Sequence, residues 1–224
     1  MDSDQTLLIL IPLAYLIGSI PFGLIVGKAK GIDPRTSGSG NIGATNLGRL
    51  LGGKYFALVF SLDLLKGAIP TLAAGLTIGF HVNDRQTCLL WIAVAAAAVL
   101  GHVFSLFLKF KGGKGVATSA GVVLGIYPYF TLAGVIAMII FVIVFRITRY
   151  ISVSSILAAV SFPAAYAVIG FRRWSITEAQ LPLLCFAIVV PLLILYKHRG
   201  NIARLRAGTE PRFNPKSKAT CASK

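Results

Sequence analysis

Val116 to Phe145, VATSAGVVLGIYPYFTLAGVIAMIIFVIVF, contains no Asp, Glu, Lys, Arg or His. It is far longer than the roughly 20 apolar residues that one helix needs to cross a bilayer. Pro128 divides it, because proline has no N–H to donate and its ring clashes with the preceding turn. The first part, 116–127, would reach only about 18 Å as a helix, at about 1.5 Å per residue. The second part, 129–145, makes a full crossing. Whether the run passes the membrane once or twice sets the side on which every later loop lies.

The basic residues decide for two passes. The chain has 224 residues, with 22 Lys and Arg against 7 Asp and Glu, a net charge of +15 and 56% hydrophobic residues. Its mean hydropathy of +0.79 excludes an ordinary soluble domain. Further apolar runs lie near Leu7–Val26, Tyr55–Phe80, Thr87–Leu108, Ile151–Gly170 and Gln180–Tyr196. With two passes, the basic residues of 28–54, Lys109 to Lys114, Arg146, Arg149 and the tail from Lys197 share one side. Only Arg85, Arg172 and Arg173 lie opposite, and Lys66 falls inside a span. A single pass would move the basic tail outside, against the excess of Lys and Arg that cytoplasmic loops carry. The fold expected is therefore an all-α integral membrane protein of about seven transmembrane segments. Its N-terminus is out, its C-terminus is in, and the fourth segment is short or re-entrant. Asp2 and Asp4 precede the first span without Lys or Arg, so that span reads as uncleaved rather than as a secretory signal. Residues 1–212 are expected to form a single polytopic domain and 213–224 a disordered cytoplasmic tail.

Several functions fall away at this stage. No soluble module exists to read nucleic acid, so the positive charge belongs first to the membrane face and then to an anionic substrate. Cys88, Cys185 and Cys221 are odd in number and include no CxxC pair, which suggests neither a disulfide framework nor a thiolate metal site. No HExxH, no Gly-x-Ser-x-Gly and no His followed five residues later by Asp is found, so a metal mechanism or a catalytic triad has no candidate residues.

Three polar stretches face the same side. Lys109-Phe-Lys-Gly-Gly-Lys-Gly-Val-Ala-Thr118 sets three lysines among three glycines between two apolar runs. Glycines let backbone N–H groups approach an anion and lysines supply charge, so the loop suits a phosphate; an ordinary positive-inside loop would show the lysines too. Gly115 stands where a Walker A loop needs Ser or Thr. Gly38-Ser-Gly-Asn-Ile-Gly-Ala-Thr-Asn46, with Arg49 beyond, offers hydroxyl, amide and guanidinium donors to oxyanions, although a surface loop uses Gly, Ser and Asn as well. In Lys197-His-Arg-Gly-Asn-Ile-Ala-Arg-Leu205, His198 and Asn201 are three apart and share one helical face. A basic tail on anionic lipid explains its arginines but not that pair. His102 lies inside a span, as a hydrogen-bonding residue or proton donor or as a structural one. Asp63 and Lys66, at i and i+3 within another span, can pair there, where ionisable residues are costly, either as part of a site or as a structural ion pair that fixes helix packing.

Taken in order, GSGNIGATN at 38–46, DLLKG at 63–67, GHVF at 101–104 running into FKGGKGVAT at 110–118, and HRGNIARL at 198–205 resemble the motifs of the bacterial acyl-phosphate:glycerol-3-phosphate acyltransferases, the PlsY family. Ser105 stands where that pattern has Pro, and Pro34 interrupts the segment before the first motif. The resemblance implies a multi-pass enzyme of the bacterial cytoplasmic (inner) membrane with its active site at the cytoplasmic face. It implies transfer of a fatty acyl group from acyl phosphate to the 1-hydroxyl of sn-glycerol 3-phosphate, giving lysophosphatidic acid and phosphate, the first step of phospholipid synthesis. Ser39, Arg49, Lys114, His198 and Asn201 match the catalytic set. Gly38, Gly40, Asn41, Thr45, Asn46, His102, Lys111, Gly112 and Gly113 are the implied phosphate-binding positions, with Asp63 and Lys66 in support. No cofactor or metal is implied; the partners are the two substrates and the lipid bilayer, and the oligomeric state is left open. Acyl phosphate is already an activated mixed anhydride, so positioning and electrostatic stabilisation suffice without an acyl-enzyme. The competing expectation is a carrier for an organic phosphate. Only Asp63 and Lys66 favour it, since carrier sites lie near the midplane between repeats and no repeat is present.

Overall fold

A backbone in hydrocarbon must close its own hydrogen bonds, and the apolar runs do so as helices. The computed structural model describes residues 2–82, 84–173 and 178–214. Among them, six stretches are long and apolar enough to cross a bilayer: Ser3–Lys28, Gly53–Thr77, Arg85–Leu108, Thr131–Thr148, Ile151–Arg173 and Glu178–Lys197. Val116–Gly125 is a shorter apolar helix, as the split at Pro128 requires. The helices are α1 (Ser3–Ser19), α2 (Phe22–Lys28), α3 (Ala44–Leu51), α4 (Gly53–Thr77), α5 (Arg85–Val103), α6 (Val116–Gly125), α7 (Thr131–Thr148), α8 (Ile151–Arg173), α9 (Leu181–Lys197) and α10 (Arg199–Arg206).

Two elements depart from the sequence reading. The first span is broken into α1 and α2 at Ile20 and Pro21. Carbonyls freed at the break find donors on other spans: Ser105 Oγ donates to Ser19 O at 2.6 Å, and Lys66 Nζ to Ile20 O at 2.9 Å. Ser105 thus supplies a hydroxyl where a proline would have none. The second departure is α3, which closes the glycine-rich stretch as a short helix; its N–H groups at Asn46 and Leu47 both bond Gly43 O.

Small residues set the helix spacing. Gly18 of α1 lies against the Ala98 carbonyl of α5, and Gly101 of α5 against the Tyr15 carbonyl of α1, so a methyl at either would overlap backbone. Gly67 of α4 meets Thr118 O in the same way, and Gly121 of α6 meets Leu64 O. With little hydrophobic drive between helices in lipid, such close backbone approach is what associates them. Trp91, Phe130 and Tyr166 fill the core, and the Trp91 indole donates to Thr71 O at 2.9 Å.

The segment after α10 returns to the bundle. Phe213 is buried, its ring against Phe56 and Phe145, and its N–H donates to Arg149 O at 2.8 Å. The expected disordered tail began at Phe213; its remainder from 215 lies outside the described residues.

Candidate active site

The three polar stretches converge at one end of the bundle around a cavity. Ser39, Asn41, Thr45, Asn46 and Arg49 border it from the first, Lys114 from the second, and His198 and Asn201 from the third; Asp63 of α4 and His102 of α5 line it as well.

The first stretch is held by Asn46. Its amide nitrogen donates to Pro34 O, Ser37 O and Asn41 O at 3.0, 3.0 and 2.8 Å, and its oxygen accepts from Ser39 N at 3.0 Å. Asn41 Oδ1 accepts from Gly43 N at 2.8 Å. Gly38 and Gly40 take φ of +61° and +70°, where a side chain would be strained. This scaffold presents Ser39 at the cavity rim. One turn into α3, Arg49 donates to Pro211 O at 2.8 Å, while its Nε is buried without a hydrogen bond.

The second stretch leaves α5 through the turn Leu106–Leu108 and folds back on it. Gly112 N donates to Val103 O at 3.2 Å and Gly113 N to His102 O at 3.0 Å. Lys114 then points inward, its Nζ donating to Asn201 Oδ1. Asn201 Nδ2 donates to Glu210 Oε1 at 2.7 Å; Ser152 Oγ reaches the same oxygen at 3.0 Å, and Arg204 Nε reaches Oε2 at 2.8 Å. Arg49 is 4.0 Å from Glu210. Arg49 and Arg204 therefore share one carboxylate, to which Lys114 is joined through Asn201, and the cluster keeps a surplus of positive charge.

Burial acts on these charges. It pushes Lys114 down from 10.5 to about 8; nearby Arg204 and Arg49 act in the same direction and Glu210 against it. Burial, with Lys114 beside it, lowers His198 from 6.5 to about 4, so the imidazole is neutral at pH 7. His198 Nδ1 lies 2.8 Å from Ile194 O and must be the protonated nitrogen, which leaves Nε2 as an acceptor. Glu210 is held below the usual range by Asn201, Arg204 and Ser152, against the cost of burial.

The remaining wall is apolar: Phe56, Phe60, Val116, Phe141 and Ile151 line the same cavity. A cationic polar end and an aromatic wall make the site amphipathic. It suits a molecule with a phosphate at one end and a hydrocarbon chain at the other.

Not every expected phosphate-binding position borders the cavity. Gly38 and Gly40 serve the turn, Gly112 and Gly113 lie on the last turn of α5, and Lys111 is exposed. Lys66 is directed to Asp63, 2.8 Å away, and to the first-span break. Asn46 borders the cavity with its amide occupied by the loop. Conversely, Ser152, Ser155, Glu210 and the aromatic wall line the cavity without standing out in the motifs. In the sequence, Ser152 and Phe60 are indistinguishable from ordinary span residues; Glu210 had one signal, an acid in a strongly basic tail. Among the described residues no group of three His, Cys, Asp or Glu side chains is placed to hold a metal ion.

Residues 8–208 match the glycerol-3-phosphate acyltransferase family. A glycerol-3-phosphate acyltransferase of Geotalea daltonii is 45% identical over 207 residues, 92% of this chain and 97% of that protein. The fold is similar to the crystal structure of PlsY, an integral membrane glycerol 3-phosphate acyltransferase, in its glycerol 3-phosphate form. The TM-score is 0.80 and the identity 41%, over 93% of this chain and 96% of that one. The lysophosphatidic acid form of PlsY gives a TM-score of 0.77 and 40% identity, over 95% of this chain and 98% of that one.

Proposed function

This chain belongs to the glycerol-3-phosphate acyltransferase family, and we propose that its cavity transfers a fatty acyl group from acyl phosphate to the 1-hydroxyl of glycerol 3-phosphate. The protein is an integral membrane acyltransferase. The observation that carries the reading is the meeting of Lys114, the Arg49 guanidinium and neutral His198 opposite Phe56, Phe60 and Phe141. Cations to hold phosphate and an apolar wall to hold a chain meet at one place.

In the step proposed, the glycerol hydroxyl oxygen attacks the acyl carbonyl carbon. The bond from that carbon to the phosphate oxygen breaks, an ester forms, and inorganic phosphate leaves. Lys114, Arg49 and Ser39 receive the negative charge that develops on phosphate and carbonyl oxygens, in a site where burial strengthens each contact. His198 Nε2 accepts the hydroxyl hydrogen bond and Asn201 keeps Lys114 in line. A histidine held at about 4 is a weak base, whereas phosphate expelled from the acyl carbon would leave as a trianion, a far stronger base, unless it is protonated as the bond breaks. The departing phosphate therefore takes the proton. Ser39, Asn41 and Thr45 border the phosphate end, and Asn46 and Gly38 hold their loop in shape. By the distribution of basic residues, the N-terminus is outside and the site lies at the cytoplasmic face; the likeness to bacterial relatives supports a bacterial inner membrane.

The test uses purified protein in detergent with glycerol 3-phosphate and no added metal. Palmitoyl phosphate, palmitoyl-CoA and palmitoyl-acyl-carrier protein are supplied separately, and lysophosphatidic acid and phosphate are followed together. Equal amounts of both products from palmitoyl phosphate alone are expected. Product only from a thioester would overturn the donor, and no product from any donor would overturn the reading. Covalent turnover in detergent, where there are no two sides, also separates the enzyme from a carrier.

A further inference from the structure

We propose that Asp63 and His102 are positioning residues that set Lys114 by pinning the glycine loop ahead of it, an inference that rests on the acyltransferase reading. Both are almost wholly buried, at 3% and 4% exposure, and both border the cavity from membrane-spanning helices. An acid and an imidazole are costly at such a place without a task.

Lys66 neutralises the acid. Its Nζ is 2.8 Å from Asp63 Oδ1 and is anchored from the other side by Ile20 O at 2.9 Å. The carboxylate is thereby fixed to α4 and to the break in the first span. His102 Nδ1 faces the same oxygen at 3.7 Å, beyond hydrogen-bond range but close enough for the charge to favour a proton on Nδ1. The opposite edge of the ring abuts Gly113. His102 Nε2 sits so near Gly113 that a Cβ there would overlap it, and a Cβ on Gly112 would overlap the His102 carbonyl.

The loop is thus clamped twice to the last turn of α5, by the Gly113 N–H on His102 O at 3.0 Å and by the imidazole against Gly113. The next residue is Lys114. On its far side Gly115, at φ +87°, turns the chain into α6, and Gly67 of α4 seats against Thr118 in the first turn of that helix. Lys114 is therefore held between two contacts that both trace to the Asp63–Gly67 turn of α4. With Nε2 set against Gly113, His102 acts on Lys114 through the loop.

The geometry makes a coupled prediction for the full-length protein in detergent. Gly113→Ala drives a methyl into the imidazole and displaces Lys114, raising KM for glycerol 3-phosphate about tenfold or more. His102→Ala leaves the loop unpinned and raises the same KM several-fold. In the His102→Ala background the added Gly113→Ala has no ring to strike and costs at most about twofold. A double-mutant cycle on KM reads this coupling, and a merely structural role would move Tm and kcat without it. Asp63→Asn is expected to raise KM less than His102→Ala. Should His102→Ala not survive purification, His102→Asn, smaller and still polar, takes its place in the cycle. Additive KM effects, or a wild-type KM in the His102 variant, overturn the inference while wild-type turnover leaves the acyltransferase reading standing. Absence of wild-type turnover overturns that reading and this inference with it.

Discussion

Raising the pH through the range in which Lys114 loses its proton should weaken binding of glycerol 3-phosphate while the protein stays folded. Burial, above all, lowers the ammonium from 10.5 to about 8. Each unit of pH beyond the pKa leaves about one tenth of the cation, so about nine tenths of Lys114 is charged at pH 7 and about one tenth at pH 9. If the cation holds the phosphate, KM should be nearly flat below pH 7.5 and about tenfold above its pH 7 value at pH 9. The other groups do not blur this. The substrate phosphate completes its second ionisation near about pH 6, and His198, at about 4, is neutral throughout. Unfolding does not mimic it either. A lysine lowered in the folded state binds fewer protons there than in the unfolded chain, between about 8 and 10.5. Stability attributable to this group therefore rises with pH across that window, when affinity falls. The assay is initial-rate release of phosphate from palmitoyl phosphate at half-unit steps from pH 6.5 to 9.5, with a blank for spontaneous hydrolysis. Lys114→Arg, which stays cationic, should lose the alkaline rise whatever its KM at pH 7. A flat wild-type profile to pH 9.5, or the same rise in Lys114→Arg, would refute the reasoning.

Two further substitutions probe the supports of the site. Asn201→Ala removes the group that joins Lys114 to Glu210 and leaves a buried carboxylate short of a donor; a loss of about 1–3 kcal/mol is expected, read as a lower Tm, with kcat falling as well. Phe213→Ala detaches the C-terminal segment from Phe56 and Phe145 beside the cavity. Its expected cost is about 3 kcal/mol, and an unchanged Tm would show that the segment does not brace the site.

The spans were legible because charge is rare in hydrocarbon, and the split of 116–145 followed from Pro128 and the side on which the basic tail must lie. The break in the first span was not, although Pro21 is in plain view. Pro12, Pro70, Pro163 and Pro191 all stay inside helices of the same chain. What separates Pro21 from them is the donors that reach Ser19 O and Ile20 O, Ser105 and Lys66, which come from two other spans.

The same division runs through the site. Ser39, Arg49, Lys114, His198 and Asn201 stood out as polar residues grouped in a hydrophobic chain, and the fold brings all five to one cavity. Asn46 stood out equally, yet its amide is occupied by carbonyls of Pro34, Ser37 and Asn41, partners every residue possesses and no motif can display. Glu210 shows the converse: a single acid in a basic tail becomes the anchor of Asn201, Arg204 and Ser152 only once the segment after α10 meets the first turn of α8. Rare residue types disclose where a site is. Whether each one meets the substrate or holds another in place depends on ordinary partners far along the chain, and for His102 and Gly113 that distinction is what the coupled KM measurement decides.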